Sequence, residues 1–233
     1  MNKKYHAFLA FVACATVACG TEAKAALITG ETATATSTAV PTRAAIKAVN
    51  DSGIIVSGGG SLSVNGELTH DNVASNMWMA GIPSNSGAAL GHSITIDLSG
   101  GNNALPHYNL DGMRIWNYNE ISGGNDTGVR VYDLETSPNG SSWTLQQNDQ
   151  TLAQPTANVP TVGVYTPINW TDVRFVRITI VDTYRGNDDA AGLSEVMFSG
   201  TAVPEPGSLV MFGIGALGFV AIRRHSCMSK KSA

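Results

Sequence analysis

The sequence predicts an all-β chain, a jelly-roll β-sandwich set between an N-terminal signal helix and a short C-terminal membrane helix. Three observations predict it. Short runs alternate polar and apolar side chains with period two, clearest in Ser93-Ile94-Thr95-Ile96-Asp97-Leu98 and Phe175-Val176-Arg177-Ile178-Thr179-Ile180-Val181. Gly, Pro and Asn turns separate these runs, and no long segment repeats with the helical period. The two most apolar stretches lie at the chain's ends, each beside basic residues.

The first element is the signal. Lys3 and Lys4 precede an apolar run from Ala7 to Cys19, and Ala23-Lys24-Ala25 supplies the small-x-small pattern that a signal peptidase reads. Cleavage is expected after Ala25, dividing the chain into 1–25, 26–202 and 203–233. The run is shorter than the roughly 20 residues a spanning helix needs. A buried N-terminal helix is the alternative, and lipidation of Cys19 after Thr16-Val17-Ala18 is another.

Between residues 26 and 202 the strand signals dominate. Thr32 to Thr38 alternates Thr or Ser with Ala, as an edge strand or a flexible lead-in. Pro41 to Val49 suits one or two helical turns, stopped by Asn50-Asp51-Ser52-Gly53. Ser57 to Ser61 is a Gly-Ser loop with no Gly-Lys-Ser/Thr behind it, so it does not cradle phosphate. Leu110 to Tyr118 places Met113 and Ile115 on one face, Arg114 and Trp116 on the other. Val129 to Leu134, the turn Ser137-Pro138-Asn139-Gly140 and Trp143-Thr144-Leu145 read as a hairpin. Leu193 to Phe198 is the closing strand.

The last element begins at Val203-Pro204-Glu205-Pro206-Gly207, continues through an apolar stretch over 207–222, and ends in Arg223-Arg224-His225. Sixteen helical residues reach about 24 Å, against a hydrocarbon core of about 30 Å. Gly213, Gly215 and Gly218 weaken the segment further as a lasting anchor. The basic residues Arg223, Arg224, Lys230 and Lys231 should stay in the cytoplasm, leaving the body outside. A Pro-Glu-Pro motif at Pro204, Glu205 and Pro206, a short helix and the Arg223-Arg224 cluster together resemble the PEP-CTERM sorting signal. The same tail also goes under the label of an ice-binding protein C-terminal domain, which says nothing about binding ice. The resemblance implies transient membrane insertion, cleavage by an exosortase-type protease, and release to or attachment at the cell surface. The alternative is a plain single-span anchor.

Composition excludes some functions. All three cysteines (Cys14, Cys19 and Cys227) lie in the end segments, so the body must hold itself by packing or by a metal rather than by disulfides. It has seven basic residues against sixteen acidic ones, a formal charge of −9 where the whole chain has −4. Such a body is repelled by phosphate backbones, so nucleic acid is not an expected partner.

Five motifs in order point to a family. Asp97-Leu98 comes first, then Ile115-Trp116-Asn117-Tyr118-Asn119-Glu120, then Ser137-Pro138-Asn139-Gly140-Ser141-Ser142-Trp143. Arg174-Phe175-Val176-Arg177 and Gly192-Leu193-Ser194-Glu195-Val196 follow. This series resembles the discoidin, or coagulation factor 5/8 type C, fold, a galactose-binding-like group that includes family-32-like carbohydrate-binding modules. The resemblance runs from near Ile28 or Ala45 to Gly200. It departs from the family in the His107-to-Asn119 segment and in the Ala/Thr-rich start, which leave the first strand open.

The resemblance implies two sites. One is a structural calcium ion held by Asp51 and Glu195, with Asp71 as a secondary candidate and loop carbonyls completing six to eight oxygens. The bland reading has Asp51 capping a turn and Glu195 solvated. The other is a ligand surface on loops at one end of the sandwich, formed by Trp116, Tyr118, Asn119 and Glu120 with Tyr184, Arg185, Asn187 and Asp188. Aromatic faces, amides, carboxylates and guanidinium groups are the side chains that bind sugars. Trp116 and Trp143 nevertheless sit inside strand patterns, which favours packing, and Trp78 and Trp170 read as rim or core.

Catalytic sets are absent from the sequence pattern. His70, His92 and His107 lack zinc-ligand spacing, no nucleophile elbow occurs, and Asp188-Asp189 lies in a polar loop. The three Asn-x-Ser/Thr sites, at Asn125, Asn139 and Asn169, carry little weight. The expected function is therefore an exported, surface-directed, non-enzymatic binding module for extracellular polysaccharide. A structural matrix protein without a defined glycan site is the alternative, and a polysaccharide hydrolase or lyase stands behind both.

Overall fold

Successive side chains of a strand point to opposite faces, and that alternation sorts this chain into two large sheets. The structure is a computed structural model that describes residues 25–56, 62–63, 65–81, 91–101, 107–121, 124–185 and 190–203. Its strands, in chain order, begin with β1 (Ala26–Leu27), β2 (Thr32–Ala35), β3 (Ile54–Ile55), β4 (Thr69–His70) and β5 (Trp78–Met79). Then come β6 (Ser93–Asp97), β7 (Tyr108–Asn117), β8 (Val129–Ser137) and β9 (Thr144–Thr151). The last are β10 (Thr161–Val162), β11 (Val164–Val173), β12 (Phe175–Thr183) and β13 (Gly192–Ala202).

One sheet runs β1-β13-β7-β11, with β5 also paired to β13; the other runs β2-β6-β12-β8-β9. Every named pairing is antiparallel. Leu110, Met113, Ile115, Val196 and Phe198 from the first sheet share one core with Ile94, Ile96, Leu134, Val176 and Ile178 from the second. The chain is thus an antiparallel β-sandwich. Phe198, Ile115 and Ile178 are essentially inaccessible, each removing about 2 kcal/mol worth of apolar surface from water.

A third layer lies outside the first sheet. The small sheet β10-β4-β3 covers a second cluster of Leu68, Trp116 and Met197, with Leu27, Ile54, Val56 and Leu62 around it. Trp116 does point away from the main core, as its alternation with Ile115 requires, but this layer closes over it. Its indole N–H donates to Leu68 O at 3.1 Å, and the Arg114 guanidinium lies 5.7 Å from its ring centroid.

The predicted strands at Ser93, Leu110, Val129, Trp143, Phe175 and Leu193 all appear, as β6, β7, β8, β9, β12 and β13. The Ala/Thr segment resolves into edge strand β2, and the Pro41 segment into two 3-10 turns, Pro41–Arg43 and Ala45–Ala48. Strand β11 was not expected. Its run VYTPINWTDV contains Pro167, and its register against β7 shifts twice, at Pro167/Trp170 and Trp170/Val173. The period-two signal is broken there, as edge strands often are. No helix among the described residues is long and apolar enough to cross a membrane. The expected signal helix and the 207–222 helix lie outside the described residues.

The sandwich has two ends. At one, Ala202 pairs with Tyr108 and Val203 N donates to His107 O, so the C-terminal segment leaves there. At the other, Asn117 pairs with Leu193, and Gly128 bridges Gly192. The buried Trp116 makes a local demand near the second end. A Cβ on Gly163 would sit 2.6 Å from Trp116 Cδ2 and 2.8 Å from Arg114 Cγ. Gly163→Ala is expected to lower stability by about 2 kcal/mol in denaturant unfolding. Gly66→Ala, whose Cβ meets nothing nearer than 3.4 Å, should stay within about 0.5 kcal/mol of the parent.

Candidate functional site

The end of the sandwich away from the C-terminal segment is organised by carboxamides. Asn117 Oδ1 accepts from Tyr118 N at 2.9 Å and Val129 N at 2.8 Å. Its Nδ2 donates to Val129 O at 2.8 Å and Ala153 O at 3.0 Å. One buried side chain therefore joins the end of β7, the start of β8 and the loop after β9.

That loop, from Leu152 to Pro160, has no regular structure, and its carbonyls find partners in side chains instead. Tyr184 Oη donates to Leu152 O, and Asn125 Nδ2 to Pro155 O at 3.1 Å. Asn119 Nδ2 donates to Val159 O and, at 3.0 Å, to Thr161 Oγ1. The loop so held borders a cavity of about 310 Å³, within the size of small-ligand sites. Hydroxyls and amides of Gln154, Thr156 and Thr161 alternate around it with the apolar surfaces of Pro155, Val159 and Pro160.

The residues expected to touch ligand are distributed differently from the expectation. Trp116, Tyr118 and Asn119 are fully buried, so their faces and amides are not offered to a ligand. This corrects the sequence reading. Trp116 is roofed by the small sheet, Asn119 is turned inward to the loop carbonyls, and Tyr118 lies in a polar knot. There its phenol donates to Glu120 Oε2 at 2.8 Å and accepts from Arg43 Nη1 at 2.9 Å. Arg43 also reaches Glu120 Oε1 at 2.9 Å and Met79 Sδ at 3.1 Å. Burial first, and the bond to Glu120 second, push the Tyr118 phenol well above its ordinary ionisation range. Tyr184 is half-buried, while Arg185 is exposed and forks onto Asp126 with contacts of 3.0 and 2.8 Å. Asn187 and Asp188 lie outside the described residues. Asn119, Tyr184 and Asn117 thus position the cavity's wall; the 152–160 loop that forms it was not singled out from the sequence.

The carboxylates expected to hold calcium do approach one another. Glu195 on β13 is fully buried, and among the described residues neither of its carboxylate oxygens has a hydrogen-bond partner. Burial pushes its ionisation well above the ordinary carboxylate range, and the charges of Asp51 and Glu31 add to that. The backbone N–H groups of Val196 and Asp51 lie near enough to oppose the shift, yet neither makes a bond of normal geometry to it. Asp51 has φ 59°, in the left-handed region that Asp tolerates better than most residues. Its carboxyl is raised by burial as well.

Glu31 was not anticipated. It lies buried between β1 and β2 with its ionisation pushed up to about 7, chiefly by burial, with Asp51 contributing. Asp71, in contrast, is engaged locally, accepting from Val73 N at 3.1 Å and Asn76 Nδ2 at 2.8 Å. Among the described residues no three His, Cys, Asp or Glu side chains form a set that could hold a metal by themselves. An oxygen-seeking ion here would have to draw on loop carbonyls, as calcium does. The orphaned Glu195 oxygens, unfavourable when buried and charged alone, fit such an ion.

The tail positions Pro204, Glu205, Pro206, Arg223 and Arg224 lie outside the described residues. Residues 202–224 match the family model described as the PEP-CTERM protein-sorting motif. No curated protein matches the chain. Among solved structures, the chain is similar to the family 32 carbohydrate-binding module of Clostridium perfringens NanJ in complex with galactose. Identity is 19%, coverage 76% of this chain and 99% of that one, and the TM-score 0.46. It is similar as well to an F5/8 type C domain from Bacteroides fragilis, at 14% identity, 74% and 93% coverage and a TM-score of 0.44. A third is chitosan-binding module 1 of a chitosanase/glucanase from Paenibacillus sp. IK-5, at 14% identity, 74% and 96% coverage and a TM-score of 0.46. The chain carries a PEP-CTERM sorting motif behind an antiparallel β-sandwich that is similar to F5/8 type C and family 32 modules.

Proposed function

We propose that this chain is an exported, surface-directed binding module for extracellular polysaccharide, with no catalytic role of its own. The observation that carries the reading is the cavity bordered by the 152–160 loop. It lies at the end of the sandwich opposite the point where the C-terminal segment leaves. Its wall is set in advance by side-chain bonds to loop carbonyls, so little ordering is left for the moment of binding. Sugars present hydroxyls beside C–H patches, and the lining alternates hydroxyl and amide groups with pyrrolidine and valine surface. Among the described residues no Asp, Glu, His or Cys lines the cavity, which supports binding over acid–base chemistry there. The jelly-roll topology of the discoidin group belongs to the same proposal. So does the tail's route: exosortase cleavage near Pro204-Glu205-Pro206 after transient membrane insertion, with the body left at the cell surface or in the matrix.

The binding reading is tested by applying the purified exported protein to a glycan array that includes the producing cell's own exopolysaccharide. Saturable binding to one sugar class is expected. Gln154→Ala should weaken it about tenfold with stability unchanged, and Asn117→Ala should weaken both binding and stability. Absence of binding to every glycan would overturn the reading and favour a structural matrix role.

We propose in addition that Asp51 and Glu195, with loop carbonyls, hold one calcium ion, which would neutralise charge that burial otherwise disfavours. Glu31 and Glu195 have raised ionisation, so without a cation the folded state binds more protons than the unfolded one. Stability then falls as pH rises from about 4.5 through about 7, by about 3 kcal/mol for Glu31 alone. Thermal melts in chelator should show this loss between pH 5 and 7.5, and calcium should restore the midpoint at pH 7.5. Glu195→Gln should melt higher than the parent in chelator and no longer respond to calcium. A midpoint equal with calcium and with chelator at pH 7.5 would exclude the ion.

A further inference from the structure

A second hollow, of about 180 Å³, opens on the outer face of the first sheet. Ala25 and Ala26 border it on one side; Asp111, Tyr165, Ser199 and Asn65 border it on the other. Among the described residues Asp111 is the one carboxylate in this lining, and no basic side chain lines it. It is exposed, accepts from the Ser199 hydroxyl, and forms no ion pair among the described residues.

The backbone brings a particular atom to this place. Ile28 N donates to Phe198 O at 2.9 Å, and β1 continues against β13 with Leu27 opposite Ser199 and Ala26 opposite Gly200. Hydrogen-bonded and non-bonded pairs alternate in an antiparallel ladder, so Ala26 and Gly200 form the next bonded pair. The Ala26 nitrogen is therefore directed to Gly200 O. As a peptide amide it has one proton, and the ladder uses it.

We propose that this hollow is the seat of the mature amino terminus, with the α-ammonium of Ala26 as the cation that Asp111 receives. The proposal rests on reading residues 1–25 as a signal peptide. Signal peptidase adds water across the Ala25–Ala26 bond: the C–N bond breaks, hydroxide goes to the Ala25 carbonyl carbon, and the amine leaves with a proton. At neutral pH the amine takes up a further proton. The new group has three N–H donors where the amide had one. One keeps the bond to Gly200 O, and the others are free to turn into the hollow, across which Asp111 stands. The charge that processing creates is thus paired, and it pins the two-residue edge strand β1 that would otherwise fray.

Other charged groups near the hollow are few. From β11 comes the Tyr165 phenol, and beneath it the Arg114 guanidinium, 5.9 Å from the Tyr165 ring centroid, with Glu67 acting on Arg114. None of these lies between Ala26 and Asp111 in the ladder, where β13 contributes only Ser199 and Gly200.

The exported protein itself provides the test. Its amino-terminal sequence is determined first, and the uniformly 13C-labelled protein is then titrated by NMR through carbons next to the unmodified amines of Ala26 and Lys47. Lys47 is the one lysine between residues 26 and 202, so it serves as an internal reference. A sequence starting at Ala26, with the α-amine titrating roughly 0.5 pH unit higher in the folded than in the denatured protein, is expected. Asp111→Asn should abolish that difference and leave the Lys47 signal unmoved. An α-amine that titrates alike in the parent and in Asp111→Asn would overturn the pairing while leaving the signal peptide in place. A first residue other than Ala26 would overturn the signal-peptide boundary and the proposal with it.

Discussion

The loop end of this sandwich depends on one carboxamide. Asn117 ends β7; two of its side-chain hydrogen bonds tie that strand to Val129 of β8, one ties it to the loop after β9, and the fourth holds Tyr118 N. A buried amide that satisfies both its oxygen and its nitrogen fixes direction as well as distance. The neighbourhood is shaped around it. Gly128 has room for no side chain, because a Cβ would stand 2.9 Å from Asn117 Oδ1. Gly192, bridged to Gly128, is equally crowded by Trp78 O and the Tyr118 ring. Residues 26–202 contain no cysteine, and this polar clasp closes one end of the two sheets without a disulfide.

The clasp also explains why the aromatic segment beside it faces inward. With Asn117 committed to the chain's own backbone, the residues on either side are fixed by strand alternation and by the turn that follows. Trp116 falls on the outer face and is roofed by β3 and β4; Tyr118 falls into the knot with Arg43 and Glu120. These side chains make the frame rigid and leave the contact surface to less conspicuous residues. A stretch such as Trp116-Asn117-Tyr118-Asn119 has the composition of a sugar-binding loop and the geometry of a buried support for the 152–160 loop.

What could be read beforehand follows from the same physics. Strands whose inner face belongs wholly to the core, such as β6 and β12, announce themselves by period two. Strand β11 does not, because Pro167 and two register shifts break its alternation. Asp51 and Glu195 were reachable through a family pattern that ties a loop Asp to a Glu in the last strand. Glu31 was not, since nothing in its local sequence reveals that the crossover from β1 to β2 would bury it near them. The 152–160 loop was the least legible of all. Its conformation is decided by Asn117, Asn119, Asn125 and Tyr184, donors that lie 30 or more residues away along the chain, and local turn chemistry does not encode that.

Charge and topology then agree on an orientation. The C-terminal segment leaves beside Tyr108, and the cavity lies beyond Asn117 at the other end of the ten-residue strand β7, a separation of about 30 Å at the usual rise per residue. A body of formal charge −9 is also repelled by an anionic membrane surface, most effectively within a Debye length of about 8 Å. On the proposed surface-directed reading, attachment through the C-terminal segment and a net charge repelled by lipid both leave the opposite end facing outward.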